Sequence, residues 1–272
     1  SKSINANAVC LTFDDGYSDN VHIAQPLLQK YNAPATFFIP TQALLNRELF
    51  GWDVLESILF DTETLPQKFT ATINGQKIEG NLDEEAVLNP LQVKKQNSWI
   101  WPQQPSTKRC ALYLSLWEKL KLMEHGALTA ALDEIKQWAG VTEVNKSSLL
   151  PMTVPELKAL VSDPLFDAGI HTVTHPALSA HSYAVQKEEL ERNKRDLEAV
   201  CATPMNTVAF PYGDYNQTTL DIVKELKLSA AFSTKGFPVT VQSDKTSLGR
   251  FQVNNWNKKA FEKTLADWFK NR

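Results

Sequence analysis

Cysteine is scarce in this 272-residue sequence. Cys10, Cys110 and Cys201 are odd in number, far apart and never in a C-x-x-C pair, which argues against a disulfide framework and against a thiolate metal site. Each is read as a small buried hydrophobe. No apolar run approaches the roughly 20 residues that cross a bilayer, so no membrane-spanning helix is expected. Positive charge is not in excess either. The formal net charge is −3, and the scattered Lys and Arg make no basic stripe for phosphates, so nucleic acid is set aside as a partner. The N-terminus lacks the charged-then-apolar order of a signal peptide. The first β-rich run starts almost at once, at Val9, which leaves open whether the chain is trimmed upstream.

What is present is ordinary globular material, 43% hydrophobic and 22% charged, enough for one large α/β barrel or two smaller domains. Val9 to Phe13 reads as a strand, Val21, Ala24, Leu27, Leu28 and Tyr31 as a helix face, and Ala35 to Ile39 as a second strand. That is a βαβ unit with parallel strands. Residues 42–150 break the rhythm. Lys68–Ile73 and Gln76–Glu79 flank Asn74-Gly75, the turn of a hairpin. Two helical patterns follow, through Leu112, Leu116, Leu120 and Met123 and through Leu128, Leu132, Ile135 and Ala139. A hairpin with a helix pair is the expected content of an inserted subdomain, in which Trp52, Trp99 and Trp101 serve as core. From Thr153, where Glu156 completes a capping box, the α/β alternation resumes and runs to a last helix through Phe261, Leu265 and Trp268. The expected fold is an α/β barrel over 8–270, interrupted once.

Three loops at strand ends carry residues with chemistry. Asp14 and Asp15 in Thr12-Phe13-Asp14-Asp15-Gly16-Tyr17 are adjacent carboxylates, costly to bring together unless a cation or proton neutralises them. Alone, such a run also suits a solvated turn. His171 and His175, four apart and ahead of Pro176, can converge on one divalent ion, and imidazole with carboxylate suits zinc; chance neighbours remain the alternative. Phe210-Pro211-Tyr212-Gly213 is by itself a turn.

Taken in order, Thr12 to Gly16, His171 to Pro176 and Pro211 to Gly213 resemble the motifs of the polysaccharide deacetylases of carbohydrate esterase family four, which share the NodB homology domain. The resemblance covers about 8–40 and 150–270. It is closest in motif style to poly-N-acetylglucosamine deacetylases. It implies a distorted (β/α)7-type barrel and a hydrolase of carbon–nitrogen bonds that removes acetyl from poly- or oligosaccharides. It further implies a divalent metal, zinc or else cobalt, nickel or manganese, on Asp15, His171 and His175, with Asp14 as general base. The Tyr212 amide would face the oxyanion, and Tyr17, Pro211, Tyr212 and Trp256 would meet the sugar. Bacterial envelope and cytoplasm both stay open as compartments, and the oligomeric state is not legible.

The chain departs from the family twice. The arginine that usually partners the base is Ala209 here, and Arg250, after another expected strand, is the candidate replacement. The late histidine that would protonate the leaving amine is missing; His181 is nearest, read as a solvated helix cap, and His22 is read on an exposed helix face. A non-catalytic carbohydrate-binding homologue and an amidohydrolase of small non-sugar amides are therefore the competing readings. A retained Asp14 argues against the first, the complete Asp–His–His set against the second.

Overall fold

The computed structural model describes residues 8–100, 103–144 and 146–270. Trp101 lies outside them. In chain order the elements are β1 (Leu11–Phe13), a π-helical turn (Asn20–Ala24) leading into α1 (Gln25–Lys30), β2 (Ala35–Ile39), α2 (Thr41–Asn46) and α3 (Gly51–Asp61). Then come hairpin strands β3 (Lys68–Ile73) and β4 (Gln76–Asn81), α4 (Pro90–Ser98), α5 (Lys108–Leu120) and α6 (His125–Ala139). The chain continues with α7 (Val154–Ser162), β5 (Phe166–Ile170), α8 (Tyr183–Cys201), β6 (Thr207–Ala209), α9 (Gln217–Glu225), β7 (Ala230–Phe232) and α10 (Lys258–Lys270).

Two compact units result. One takes the described residues of Ser1–Arg47 and Pro151–Arg272, the other Glu48–Leu150. In the first, a parallel sheet runs in the order β1-β2-β5-β6-β7, with helices in the connections. This is the expected α/β class, with five strands in the sheet among the described residues. Phe37, Phe38 and Ile39 of β2 are all buried, as a strand covered on both faces requires. Phe37 and Ile39 join Leu160, Ile170, Leu190 and Val208 in one core. Truncating such a leucine to alanine costs about 2–5 kcal/mol, so this core fixes the strand ends from which the three motif loops leave. Thr153 and Glu156 form the expected capping box at α7.

Four expectations change in detail, the first being Cys10, read as buried and exposed in the structure. The first strand is shorter, beginning at Leu11. The strand expected ahead of Arg250 is reduced to one parallel bridge, Phe232–Leu248. Upstream of it, side chains divert the backbone into turns, as Ser243 Oγ accepts from Thr240 N–H and Asp244 Oδ1 from Thr246 N–H. His181 is not the helix cap: Ser182 is, accepting from Val185 N–H, while the half-buried His181 keeps its Nε2 buried without a hydrogen-bond partner among the described residues.

In the second unit, α3 packs against both α5 and α6, so the helix pair is organised around a third helix. The hairpin turns at Asn74-Gly75 as expected. Leu55, Ile58, Leu59, Leu116, Leu120 and Ile135 make a separate core. Trp52 stacks on Phe50 (4.3 Å between ring centres) and Trp99 meets Tyr113 edge-on (6.3 Å). No helix among the described residues is long and apolar enough to cross a membrane.

Candidate functional site

The Asp-Asp loop turns sharply where β1 ends. Asp15 takes a left-handed φ of 71° and Gly16 one of 68°. Gly16 meets the turn with no side chain, since a Cβ there would lie 2.9 Å from Ile39 Cδ1. Its N–H donates to Asp14 O, and its own carbonyl accepts from Met152 N–H (2.8 Å). Tyr17 forms an isolated bridge with Pro151. The two aspartates are thereby sent to different partners.

Asp15 meets the histidines. His171 leaves the end of β5, and Thr172 and His175 both adopt left-handed backbone (φ 64° and 60°), which folds the loop so that the two imidazoles stand 4.8 Å apart. Asp15 Oδ1 lies 3.3 Å from His171 Nε2 and 3.1 Å from His175 Nε2. One ligand atom from each of the three residues falls within 4.8 Å of the others. Asp15 Oδ1 is buried yet accepts no hydrogen bond of proper geometry. His171 Nδ1 is 2.8 Å from Ala209 O, a contact that puts the proton on Nδ1 and leaves Nε2 as a lone pair toward Asp15. Its own N–H donates to Asn193 Oδ1 (3.0 Å). A buried, unsatisfied carboxylate oxygen facing an imidazole lone pair is a donor set that fits a divalent cation.

The three groups also shift one another's proton affinity. Burial alone raises the Asp15 carboxyl, but the adjacent imidazoles outweigh it and hold the group well below the usual carboxylate range. Burial pulls His175 below its ordinary value in spite of Asp15. At His171 burial pulls the same way, and Asp15 and Asp14 carry it upward.

Asp14 meets Arg250. Nη1 donates to Oδ1 and Nη2 to Oδ2, both at 2.7 Å, a two-pronged fork. The guanidinium is itself fixed: Nε donates to Ser233 O (3.1 Å), Nη1 also to Thr12 Oγ1 (3.1 Å), and its centre lies 5.5 Å over the Phe38 ring. The arginine absent at position 209 is thus supplied from the segment after the Phe232–Leu248 bridge.

The third motif adds Tyr212, left-handed at φ 58°, its ring edge-on to His175 at 4.7 Å and 36% of its surface exposed. Gly213 follows with φ 65°, and a Cβ on it would sit 2.1 Å from Thr234 Oγ1. Pro211 is buried at the start of that turn. The ring of Trp256 lies 6.1 Å from that of Trp268 of α10, which stacks on Phe251, the residue after Arg250. The residues that sequence reasoning missed are Asn193 and Glu189 of α8. Their bonds join side chain to distant backbone, which leaves no periodic trace in the sequence.

An α/β fold with carboxylate and imidazole groups converging at its strand ends is an arrangement that hydrolases of the β/α-barrel class use. The family model for polysaccharide deacetylase matches residues 1–61 and 120–231. The chain belongs to the polysaccharide deacetylase family, hydrolases acting on carbon–nitrogen bonds other than peptide bonds. Arg250 and Trp256 lie outside the matched residues. Among solved structures, the chain is similar to the Streptococcus pyogenes deacetylase PplD in complex with acetate, at 18% identity over 94% of this chain and 70% of that one, with a TM-score of 0.53. It is also similar to a de-N-acetylase from Aggregatibacter actinomycetemcomitans, at 13% identity over 97% and 77%, with a TM-score of 0.52. At such identities the likeness speaks for the fold. A search of curated proteins found no match.

Proposed function

We propose that the chain removes acetyl groups from N-acetylated poly- or oligosaccharides, with Asp14 as the base. The observation that carries this reading is the Arg250 fork on Asp14 in the loop that also sends Asp15 to His171 and His175. Asp15, His171 and His175 would hold the metal. A divalent ion bound there, zinc or else cobalt, nickel or manganese, supplies Lewis acidity toward the acetyl carbonyl and makes water a better nucleophile at neutral pH.

The chain's own residues do the rest. Arg250 occupies one lone pair on each Asp14 oxygen and leaves the others open, so the carboxylate is oriented but still able to take the proton of an attacking water. The Ala209 carbonyl keeps His171 in the tautomer that presents Nε2. Tyr212, packed on His175, is assigned to the developing oxyanion through its amide. The rings of Tyr17 and Tyr212 are assigned to the sugar face, where pyranose C–H groups pack well on aromatics. Acetate and a free amine are the products.

A non-catalytic sugar binder has no use for a base held this firmly. The test is acetate release from N-acetylglucosamine oligomers by the parent, Asp14→Asn and His175→Ala. The parent should release acetate and both variants should fail. A parent that takes up metal but releases acetate from no acetylated saccharide would overturn the reading, and a small amide run alongside identifies the amidohydrolase alternative.

A further inference from the structure

The two histidines depend on a loop with unfavourable backbone. Thr172 and His175 both hold positive φ, the region that non-glycine residues avoid unless the surroundings impose it. Two side chains one turn apart on α8 face this loop. The Glu189 carboxylate accepts from the N–H groups of Val173 (2.8 Å) and Thr174 (2.9 Å) on one oxygen and from Thr174 Oγ1 (2.8 Å) on the other. Asn193, fully buried, accepts from His171 N–H and donates to Ile39 O (3.0 Å) and Thr41 Oγ1 (3.1 Å) at the end of β2. Inside the turn, Thr172 Oγ1 accepts from His175 N–H (3.0 Å). Thr41 and Gln42 donate their N–H groups to Thr172 O and Val173 O.

We propose that Glu189 and Asn193 are positioning residues that hold the His171–His175 loop in its ligand-presenting shape before any ion arrives. The inference rests on the reading that Asp15, His171 and His175 hold a metal. Backbone amides that turn toward Glu189 fix the orientation of residues 173 and 174, and with it the direction in which His175 leaves the loop. Asn193 fixes His171 from its backbone side, as the Ala209 carbonyl fixes it from the ring side. Affinity then comes without the cost of ordering a strained loop at the moment of binding. Removing partners of this kind typically weakens metal binding by about 10–100-fold.

The test is cobalt(II) titration of the metal-stripped protein, read both as affinity and as the visible ligand-field spectrum, for the parent, Glu189→Ala, Glu189→Gln, Asn193→Ala and Leu190→Ala. Leu190 is a buried core residue on the same helix, so its truncation loosens α8 without touching the loop's bonds. Glu189→Ala and Asn193→Ala should weaken cobalt binding by about 10–100-fold with an altered spectrum. Glu189→Gln, which keeps a carbonyl oxygen for the two amides, should recover most of the affinity, and Leu190→Ala should bind as the parent does. Parent-like cobalt binding by Glu189→Ala and Asn193→Ala overturns this inference alone. So does an equal loss in Leu190→Ala, which would mean that general loosening is responsible. A parent that binds no cobalt overturns the metal reading, and this inference with it.

Discussion

Arg109 in the second unit and Asp15 in the first are both ionic side chains drawn in among protein atoms, and they are treated in opposite ways. Arg109, with no exposed surface, donates to five backbone carbonyls: Glu85, Leu59, Thr62, Glu63 and Ala86. These gather the C-terminal end of α3 and the two segments that follow it onto one guanidinium. Asp15 Oδ1 is left facing two imidazole nitrogens with no hydrogen bond made. The backbone differs in parallel. In the second unit positive φ falls at turns and helix ends, such as Asn74-Gly75 and Gly140, whereas in the first it falls at helix ends such as Arg47 and Ala202 and also within all three motif loops, at Asp15, Thr172, His175 and Tyr212. A buried charge that is fully bonded serves the fold. A carboxylate oxygen left open within strained loops is what the proposed metal site would use.

That comparison can be broken at several points. Asp14→Asn should lower acetate release by roughly 10²–10⁴-fold while metal content stays at the parent's level, since the base is separate from the ligands. Loss of metal in that variant would merge the two roles. Arg109→Met should destabilise the protein by about 3–5 kcal/mol in denaturant unfolding, because five buried or part-buried carbonyls lose their donor. A loss below about 1 kcal/mol would show that Arg109 is not the structural anchor described. Arg250→Ala should cut acetate release by about 10–100-fold, and Arg250→Lys should not restore it, because an ammonium cannot make two parallel bonds to one carboxylate. A parent-like pH–rate profile in Arg250→Ala would separate Arg250 from the base.

The smallest effect belongs to an ordinary structural feature of the first unit. Thr153→Ala should cost about 1 kcal/mol, the worth of a helix cap. The Glu156 carboxyl in the same box is held below its usual value, first by the Thr153 N–H. A lowered carboxyl contributes stability that is present above its unfolded-state value and fades as the pH falls through the folded one. Unfolding midpoints of the parent and Glu156→Gln should therefore converge in acid and separate toward neutral pH.

Much of this was legible in the sequence because it is local. The βαβ start, the Asn74-Gly75 hairpin, the Thr153 box and the three motif loops all announce themselves within a few residues. The Asp–His–His set came from the family resemblance, and the structure brings those three side chains together. What stayed hidden was set by distance. Arg250, 236 residues from Asp14, could be named in the sequence only as a candidate beside the reading of a surface arginine, and the fold supplies the contact. Glu189 and Asn193 look like any polar positions on a helix, and Arg109 like any charge at a helix start. The α3 helix, with Val54, Leu55, Ile58 and Leu59 at helical spacing, was readable but stood in a segment expected to hold only a hairpin and a helix pair.

The central claim is that the first unit's unsatisfied carboxylate marks a metal site on which deacetylation depends. It is tested most directly by adding zinc back to metal-stripped protein while acetate release from an N-acetylglucosamine oligomer is followed. The account predicts that release returns in proportion to zinc and levels off at about one ion per chain, with no recovery in His175→Ala. Full acetate release from the metal-stripped parent would contradict it.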